Sequence, residues 1–292
     1  MDESLSSWLA LREPADFAAR SATLADAMAR RLDARDPVRV VDLGTGTGSN
    51  LRYLIDRLPQ RQEWLLVDHD RRLLTEVADR MQAWAIARDY QVGFDREVLI
   101  LRREGRECRI ETRQMDLGVL GDDEIFRGRD LVTASALLDL VSVEWLCALA
   151  SQCQIHRCAA LFSLSYNGES QSLPREREDD EIRALMNRHQ RTDKGFAPAA
   201  GPEASAAAAR AFEALGYDLR QERTNWILGP ESSELQRQLI EGWAHAAVEI
   251  APEHSDVVRD WLARRLEHLR QGRSRIVVGH EDLAAWPRGQ TA

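Results

Sequence analysis

The pattern of hydrophobic residues early in the chain predicts a strand, a tight turn and a helix in that order. The run from Val38 to Leu43 is apolar and rich in β-branched residues, as buried strands are, and it leads directly into three closely spaced glycines. After the glycines, apolar residues fall at the i, i+3, i+4 and i+7 spacing of one helix face, namely Leu51, Leu54, Ile55 and Leu58.

The alternation of strands and helices continues to the end of the chain. Further strands are predicted at Glu63 to Val67, Cys108 to Met115, Asp130 to Ser135, Ala159 to Tyr166, Tyr217 to Leu228 and Arg275 to Val278. The helical segments include Val143 to Ser151, Pro202 to Leu215, Ser232 to Ile250 and Ser255 to Arg270. This order is typical of an α/β doubly wound sheet, which is the predicted fold class.

Three segments are predicted additions to this core. The leader, Leu5 to Leu32, is expected to form two helices interrupted at Arg12-Glu13-Pro14, and its Arg20 is a candidate contact for a carboxylate of cofactor or substrate. Residues 91–114 contain two apolar runs around a glycine turn, which indicate a hairpin insertion and a candidate homodimer contact. A helical insertion is expected at about 231–272.

The glycine loop is a candidate ligand site, because glycines let the backbone turn sharply and leave room for a ligand against it. A dinucleotide fold has the spacing Gly-x-Gly-x-x-Gly, which directs helix N–H groups at a pyrophosphate. Here the third glycine, Gly48, comes one residue early, and Asp42 stands two residues before Gly44. A carboxylate there disfavours a pyrophosphate and suits a ligand with an ammonium and a sulfonium. An NAD-dependent enzyme is the alternative that the loop leaves open.

The pattern Asp-x-Gly-x-Gly-x-Gly resembles motif I of the class I S-adenosylmethionine-dependent methyltransferases. Later segments extend the resemblance in the same order: Asp68 ends the second strand, Asp116-Leu117 the third, and Ala136-Leu137-Leu138-Asp139 follows the fourth. The resemblance covers about residues 39–167 closely. It implies a mostly parallel, Rossmann-like sheet of seven strands with an antiparallel last strand. It also implies a helical cap at 1–36 and a methyltransferase domain at 37–292, with the helical insertion as a lid.

The resemblance further implies S-adenosyl-L-methionine as the cofactor and indicates the residues that would hold it. Asp42 is expected near the methionine ammonium, Asp68 at the ribose hydroxyls with His69 beside the adenine, Asp116 at the adenine amine, and Ser135 at the sulfonium. The full set implied in this way is Asp42, Gly44, Thr45, Gly46, Gly48, Asp68, His69, Asp116, Leu117, Ala134 and Ser135.

The methyl acceptor is less well marked in the sequence. The Asn/Asp-Pro-Pro-Tyr/Phe motif of enzymes that methylate adenine or glutamine nitrogens does not follow the fourth strand, so a small-molecule acceptor is favoured. Part of the candidate set lies in a polar stretch, Asn167 to Pro202, that predicts a short exposed helix and a mobile loop. A protein or RNA methyltransferase and a non-catalytic cofactor-binding module are the alternatives. The candidate catalytic residues are Asp139, Tyr166 and His189, with Lys194 as a further candidate.

Composition narrows the partners and the location. The net charge is −9, and an acidic chain is poorly suited to a phosphate backbone, so no nucleic-acid partner is expected. No apolar run is long enough to span a bilayer, and the N-terminus lacks the pattern of a secretory leader, so a cytoplasmic location is expected. Cys153, His156 and Cys158 are close in sequence, but a fourth ligand is not evident, and no metal site is predicted.

Overall fold

The computed structural model describes residues 5–118, 120 and 123–289, so residues 1–4 of the predicted cap and 290–292 of the predicted domain lie outside the described residues. The strands are β1 Val38–Leu43, β2 Arg61–Asp68, β3 Gln91–Asp95, β4 Val98–Arg103, β5 Arg106–Gln114, β6 Leu131–Ser135, β7 Ala159–Leu173, β8 Tyr217–Arg223, β9 Trp226–Leu228 and β10 Arg275–Pro287. The α-helices are α1 Leu5–Ala19, α2 Ala22–Leu32, α3 Ser49–Leu54, α4 Arg71–Ile86, α5 Val143–His156, α6 Asp179–Gln190, α7 Ala204–Ala214, α8 Ser233–Ile250 and α9 Ser255–Arg270.

The strands join in one sheet of spatial order β3-β4-β5-β2-β1-β6-β7-β10-β8, and β9 also pairs with β10. The pairs of neighbours from β5 to β7 are parallel, whereas β10 lies antiparallel between β7 and β8. The chain winds from β1 outward in one direction to β5 and then in the other direction through β6 and β7. The predicted doubly wound, mostly parallel α/β sheet with an antiparallel last strand is therefore confirmed.

The expected number of seven strands is wrong, because the described residues form a sheet of ten. Seven of them have the predicted order, and β3, β4 and β9 are additional. The two-residue hairpin loop Glu104-Gly105, with φ of 44° and 81°, joins β4 to β5. A second turn joins β3, at the sheet edge, to β4. The predicted hairpin insertion is thus a three-stranded meander. The dimer contact at this edge stays a prediction.

The leader forms two helices, but the predicted interruption at Pro14 is wrong. Helix α1 continues through Pro14 to Ala19, and the break comes at Arg20 and Ser21, where the Ser21 side chain caps α2. Pro14 costs a helix about 3 kcal/mol in isolation. Residues on both sides of it, including Trp8 and Ala15, pack against the same hydrophobic cluster, and this tertiary contact holds α1 in one piece.

The polar stretch 167–202 contains the predicted helix and, before it, a strand that its composition did not predict. Its first seven residues continue β7, which therefore has 15 residues, and Ser170 to Leu173 pair with Arg275 to Val278 of β10. The segment Asp179–Gln190 then forms α6, which packs against α8. The sequence did not predict this part of β7, because Asn167 and Gly168 are typical of turns. Only the pairing of β7 with β10 shows that they belong to a bulged strand.

Hydrophobic residues of β1 show how the sheet is covered on both faces. Val38 and Val40 pack with α2, α3 and α4, whereas Val41 and Leu43 pack on the opposite face with α5 and α7. A third cluster joins α1, α6, α8 and α9 to the later part of β7, to β9 and to the beginning of β10. This cluster stands beside the carboxyl ends of the parallel strands, where ligands bind in doubly wound folds. None of the helices in the described residues is long and apolar enough to cross a membrane.

Candidate active site

The glycine loop between β1 and α3 has a backbone conformation and close neighbours that leave little room for side chains. Gly44, Gly46 and Gly48 have φ of 64°, 56° and 83°, a region that L-residues rarely adopt. A Cβ on Gly46 would lie 3.0 Å from the Cδ1 atom of Leu9 in α1. Gly44 and Gly46 line a large cavity, while Gly48 caps α3 and does not line it. The loop therefore offers bare backbone to the cavity, with the leader directly above it.

Asp68, at the carboxyl end of β2, lines the same cavity, and its carboxylate accepts fewer hydrogen bonds than it can. Its Oδ2 accepts a hydrogen bond from the Gly46 amide at 2.8 Å, and its Oδ1 accepts one from the Asp70 amide at 2.9 Å. A carboxylate offers about four lone-pair sites, so about two remain for a ligand. Asp68 therefore both supports the glycine loop and can accept hydrogen bonds from a pair of hydroxyl groups.

Asp42 lies beneath the loop, fully buried, and does not line the cavity. It accepts hydrogen bonds from Thr45 Oγ1 and from Asn50 Nδ2, both at 2.7 Å. Burial raises the pKa of Asp42 to about 6, although these two hydrogen bonds and the charge of Arg20 act in the opposite direction. Thr45 and Asn50 themselves line the cavity, so Asp42 influences the site through the residues that it holds in place.

Arg20 is buried behind the cavity wall rather than in the cavity lining. Its Nη1 donates to Asn50 Oδ1 at 2.7 Å, and its Nη2 donates to Ser135 Oγ at 2.8 Å. Both partners line the cavity. Arg20 thus connects the leader to the end of α3 that faces the loop and to the end of β6.

The ends of β2 and β5 form the next part of the wall. His69, Asp116 and Leu117 all line the cavity, and the exposed Asp116 carboxylate accepts a hydrogen bond from the Gly118 amide at 2.8 Å. A Cβ on Gly118 would lie 3.8 Å from the Gly195 carbonyl, so the loop after α6 passes close over this segment. The residues predicted for the adenine end are therefore adjacent in space.

The segment after β6 carries the central candidate for catalysis. Ser135 lines the cavity, Ala134 is completely buried and does not, and Ala136 has a positive φ of 52°. The short helical turn Leu138–Leu140 follows and places Asp139 in the cavity wall.

The carboxylate of Asp139 is 6% exposed, and its Oδ1 has no hydrogen-bond partner among the described residues. Burial raises its pKa to about 6, while its own backbone amide, the charge of Arg12 and the amide of Tyr166 act in the opposite direction. An unpaired buried acceptor is costly in a folded protein, which favours the presence of a ligand group at this position.

The other predicted catalytic residues line the cavity but are already engaged. The Tyr166 hydroxyl donates to Asn187 Oδ1 at 2.8 Å, and burial raises the Tyr166 pKa. His189 Nε2 lies 3.1 Å from a Glu249 carboxylate oxygen, and the Lys194 ammonium lies 3.4 Å from His189 Nδ1. The structure brings all three into one cavity with Asp139.

Several lining residues were missed by the sequence analysis. His280 of β10 is paired in register with Tyr166 of β7, and its ring packs on Trp226 at a centroid distance of 4.9 Å. Arg12 of α1 lies 5.2 Å above the same Trp226 ring and forms an ion pair with Asp16. The sequence-predicted last strand ended at Val278, so His280 fell outside it. Trp226 was not missed, because the eight tryptophans of the chain had made it a candidate for an aromatic pocket around the acceptor.

All these groups share one cavity of about 1040 Å³. Of the predicted cofactor residues, Asp42, Gly48 and Ala134 lie outside its lining, and their roles stay predictions. Those that line it are Gly44, Thr45, Gly46, Asp68, His69, Asp116, Leu117 and Ser135. A search of the described residues finds no group of three or more His, Cys, Asp or Glu side chains that could hold a metal ion. Cys153 and Cys158 are buried thiols.

Comparison with known proteins gives similarity of fold only. No family model matches the chain, and no curated protein matches it. The structure is similar to a SAM-dependent methyltransferase from Thiobacillus denitrificans in complex with S-adenosyl-L-homocysteine, with a TM-score of 0.44 and 13% identity over 99% of this chain and 100% of that chain. It is also similar to the cyclopropane synthase MmaA2 from Mycobacterium tuberculosis, with a TM-score of 0.42 and 11% identity over 89% and 82% of the two chains. For phosphoethanolamine N-methyltransferase 2 from Haemonchus contortus in complex with S-adenosyl-L-methionine, the TM-score is 0.44, with 11% identity over 98% of this chain and 58% of that chain.

Proposed function

We propose that this chain is an S-adenosylmethionine-dependent methyltransferase that acts on a small molecule. The observation that carries the proposal is the single cavity that joins the glycine loop and Asp68 to the unpaired, buried carboxylate of Asp139. Its volume of about 1040 Å³ is at the top of the range of about 300–1,000 Å³ typical of small-molecule sites. The cavity can therefore accommodate a cofactor together with a second small molecule.

The residues present fit this cofactor. The backbone at Gly44 and Gly46 leaves a space that a Cβ would fill, Asp68 has free lone pairs for two ribose hydroxyls, and Asp116 offers an acceptor for the adenine amine. When bound, S-adenosylmethionine supplies an activated methyl group, which bonds to a lone pair of the acceptor as the carbon–sulfur bond breaks with its electron pair left on sulfur. Asp42, Ala134 and Gly48 would act from behind the cavity wall.

Asp139 is proposed to receive the proton that the acceptor loses. At neutral pH a carboxyl group with a pKa of about 6 is mostly ionised, and it is still a stronger base than an exposed aspartate. Tyr166, His189 and Lys194 also line the cavity and would contact the acceptor. Helices α1 and α8 cover the cavity and would exclude water, as methyl transfer requires.

Cofactor identity is tested by calorimetry with S-adenosylhomocysteine and with NAD in parallel. We expect binding in the micromolar range for the first ligand and nothing comparable for the second. Tight binding of NAD without binding of S-adenosylhomocysteine would refute the proposal and favour a dinucleotide enzyme.

The acceptor class is tested with a tritium-labelled methyl donor and a cell extract separated into small-molecule, RNA and protein fractions. We expect label only in the small-molecule fraction, and none with Asp139→Asn. Label in RNA or protein would support the alternative acceptors. Cofactor binding without transfer to any fraction would indicate a non-catalytic binding module.

A further inference from the structure

The part of the cavity beyond the glycine loop has an aromatic wall, and two residues of its lining each have a buried, unpaired polar atom. Trp8, Trp226 and Trp243 line it, together with the ring of Tyr166. Asp139 Oδ1 and His280 Nδ1 are both buried and have no hydrogen-bond partner in the part of the chain that the structure describes. Two such atoms in one apolar chamber point to a ligand with two polar groups of its own.

The strand register brings these groups to one place. His280 is opposite Tyr166 across β10 and β7, and the two rings lie 6.3 Å apart between centroids. A register shift lies next to this pair, between it and the pair Val278–Ser170, at the part of β7 that contains Gly168 with a φ of 85°. Bulges of this kind redirect side chains next to active sites. The backbone amide of Tyr166 and the charge of Arg12 both act on Asp139, and Arg12 also acts on His280, so both groups lie within the electrostatic reach of Arg12.

The aromatic wall is not open to a cationic ligand at Trp226. The Arg12 guanidinium occupies the face of Trp226, where a cationic acceptor would otherwise bind, and Lys194 lines the same cavity. Burial and the charge of Arg12 lower the His280 pKa to about 3, although the Val278 carbonyl acts in the opposite direction. His280 is therefore an uncharged hydrogen-bonding group at neutral pH.

We propose that the methyl acceptor is an uncharged aromatic hydroxyl compound with a second uncharged polar group, bound between Asp139 and His280. The reacting hydroxyl donates a hydrogen bond to Asp139 Oδ1, and the second polar group pairs with His280 Nδ1. His280 is thus an acceptor-binding residue that selects for the second polar group. This inference rests on the proposed methyltransferase function and specifies the substrate class of the same site.

The test uses the full chain saturated with S-adenosylhomocysteine, with phenol as the parent probe and catechol, resorcinol and hydroquinone as probes with a second hydroxyl. Binding is followed by intrinsic fluorescence, since tryptophans line the cavity. One added hydrogen bond to a buried group predicts that at least one diol binds about tenfold more tightly than phenol. Benzylamine should bind about tenfold more weakly than benzyl alcohol, which has the same framework without the charge.

Two variants assign the effect to His280. His280→Phe keeps the ring and should remove the advantage of the diol while leaving phenol within about threefold of its original affinity. His280→Asn keeps a polar atom near the Nδ1 position and should retain the advantage. An advantage that survives in His280→Phe overturns the assignment.

The binding measurements on the wild-type protein test the inference even if neither variant folds. Diols that bind no better than phenol, or benzylamine that binds better than benzyl alcohol, overturn it. If S-adenosylhomocysteine binds but the diols show no preference, only the acceptor class is wrong. If S-adenosylhomocysteine does not bind, the proposed function fails and this inference fails with it.

Discussion

The carboxylate of Asp282 accepts a hydrogen bond from the Leu164 backbone amide at 2.7 Å, and Leu164 has the left-handed φ of 60° that branched side chains rarely adopt. Leu164 lines the cavity, and such a conformation costs about 1–3 kcal/mol. The same carboxylate accepts hydrogen bonds from the Ser21 amide at 2.9 Å and from Thr224 Oγ1 at 2.8 Å. One buried group therefore holds the leader, the cavity wall and the junction between β8 and β9.

Asp282→Asn should destabilise the protein by about 2–3 kcal/mol, because an amide cannot accept all three hydrogen bonds and would leave buried donors unpaired. Urea unfolding measures the change. Asp218→Asn makes the same substitution at an exposed ion pair with Arg288 and should change stability by about 0–1 kcal/mol. Equal losses at both positions would mean that the buried network does not contribute as proposed.

Asp68→Ala should weaken binding of S-adenosylhomocysteine by about 1.5–3 kcal/mol, the scale of hydrogen bonds to a charged group. Titration calorimetry gives this value directly. Asp70→Ala is the matched control: Asp70 caps α4 through the Arg72 amide and does not line the cavity. That variant should lose helix stability but retain cofactor affinity, and similar losses of affinity in both variants would contradict the placement of the ribose.

The stability of the protein should depend on Asp139 in a pH-dependent way. Burial raises its folded pKa to about 6, above the unfolded value of about 3.9, so the folded state binds this proton more tightly. The contribution to stability is complete below the unfolded value and is lost as the pH rises through about 6.

Asp139→Asn removes this dependence. Relative to the wild type, the variant should gain about 2 kcal/mol of unfolding free energy between about pH 4.5 and about pH 7.5, while methyl transfer is lost. Urea unfolding at the two pH values provides the measurement. A difference that does not change with pH would show that Asp139 ionises as readily in the folded state as in the unfolded one.

Binding of S-adenosylhomocysteine should slow hydrogen exchange in α1 and in residues 193–197. Leu9 of α1 stands directly above Gly46, and the Gly195 carbonyl passes over the segment that ends β5. Exchange in β3 and in α9, which contribute no lining residue, is the internal control. Protection confined to residues 44–68 would mean that neither α1 nor the loop after α6 closes over the cofactor.

The sequence by itself determined the elements that depend only on residues close to one another in the chain. The apolar, β-branched run from Val38 to Leu43, the glycines after it and the helical spacing of Leu51 to Leu58 predicted the strand, the loop and the helix, because each is a local pattern. The acids Asp68 and Asp116 could be placed in the cavity for the same reason: each follows a recognisable strand, and the ends of parallel strands meet at one edge.

Tertiary structure decided what depends on distant partners. The continuation of β7 past Tyr166 needs β10, the break in the leader at Ser21 is held by Asp282, and helix α1 tolerates Pro14 because of its packing against the third cluster. His280 entered the site for the same reason, since only the register of two strands more than a hundred residues apart sets its ring beside Trp226 and opposite Tyr166. Burial, and with it the unpaired state of His280 and Asp139, is a property of the packed chain and cannot be read from any local pattern.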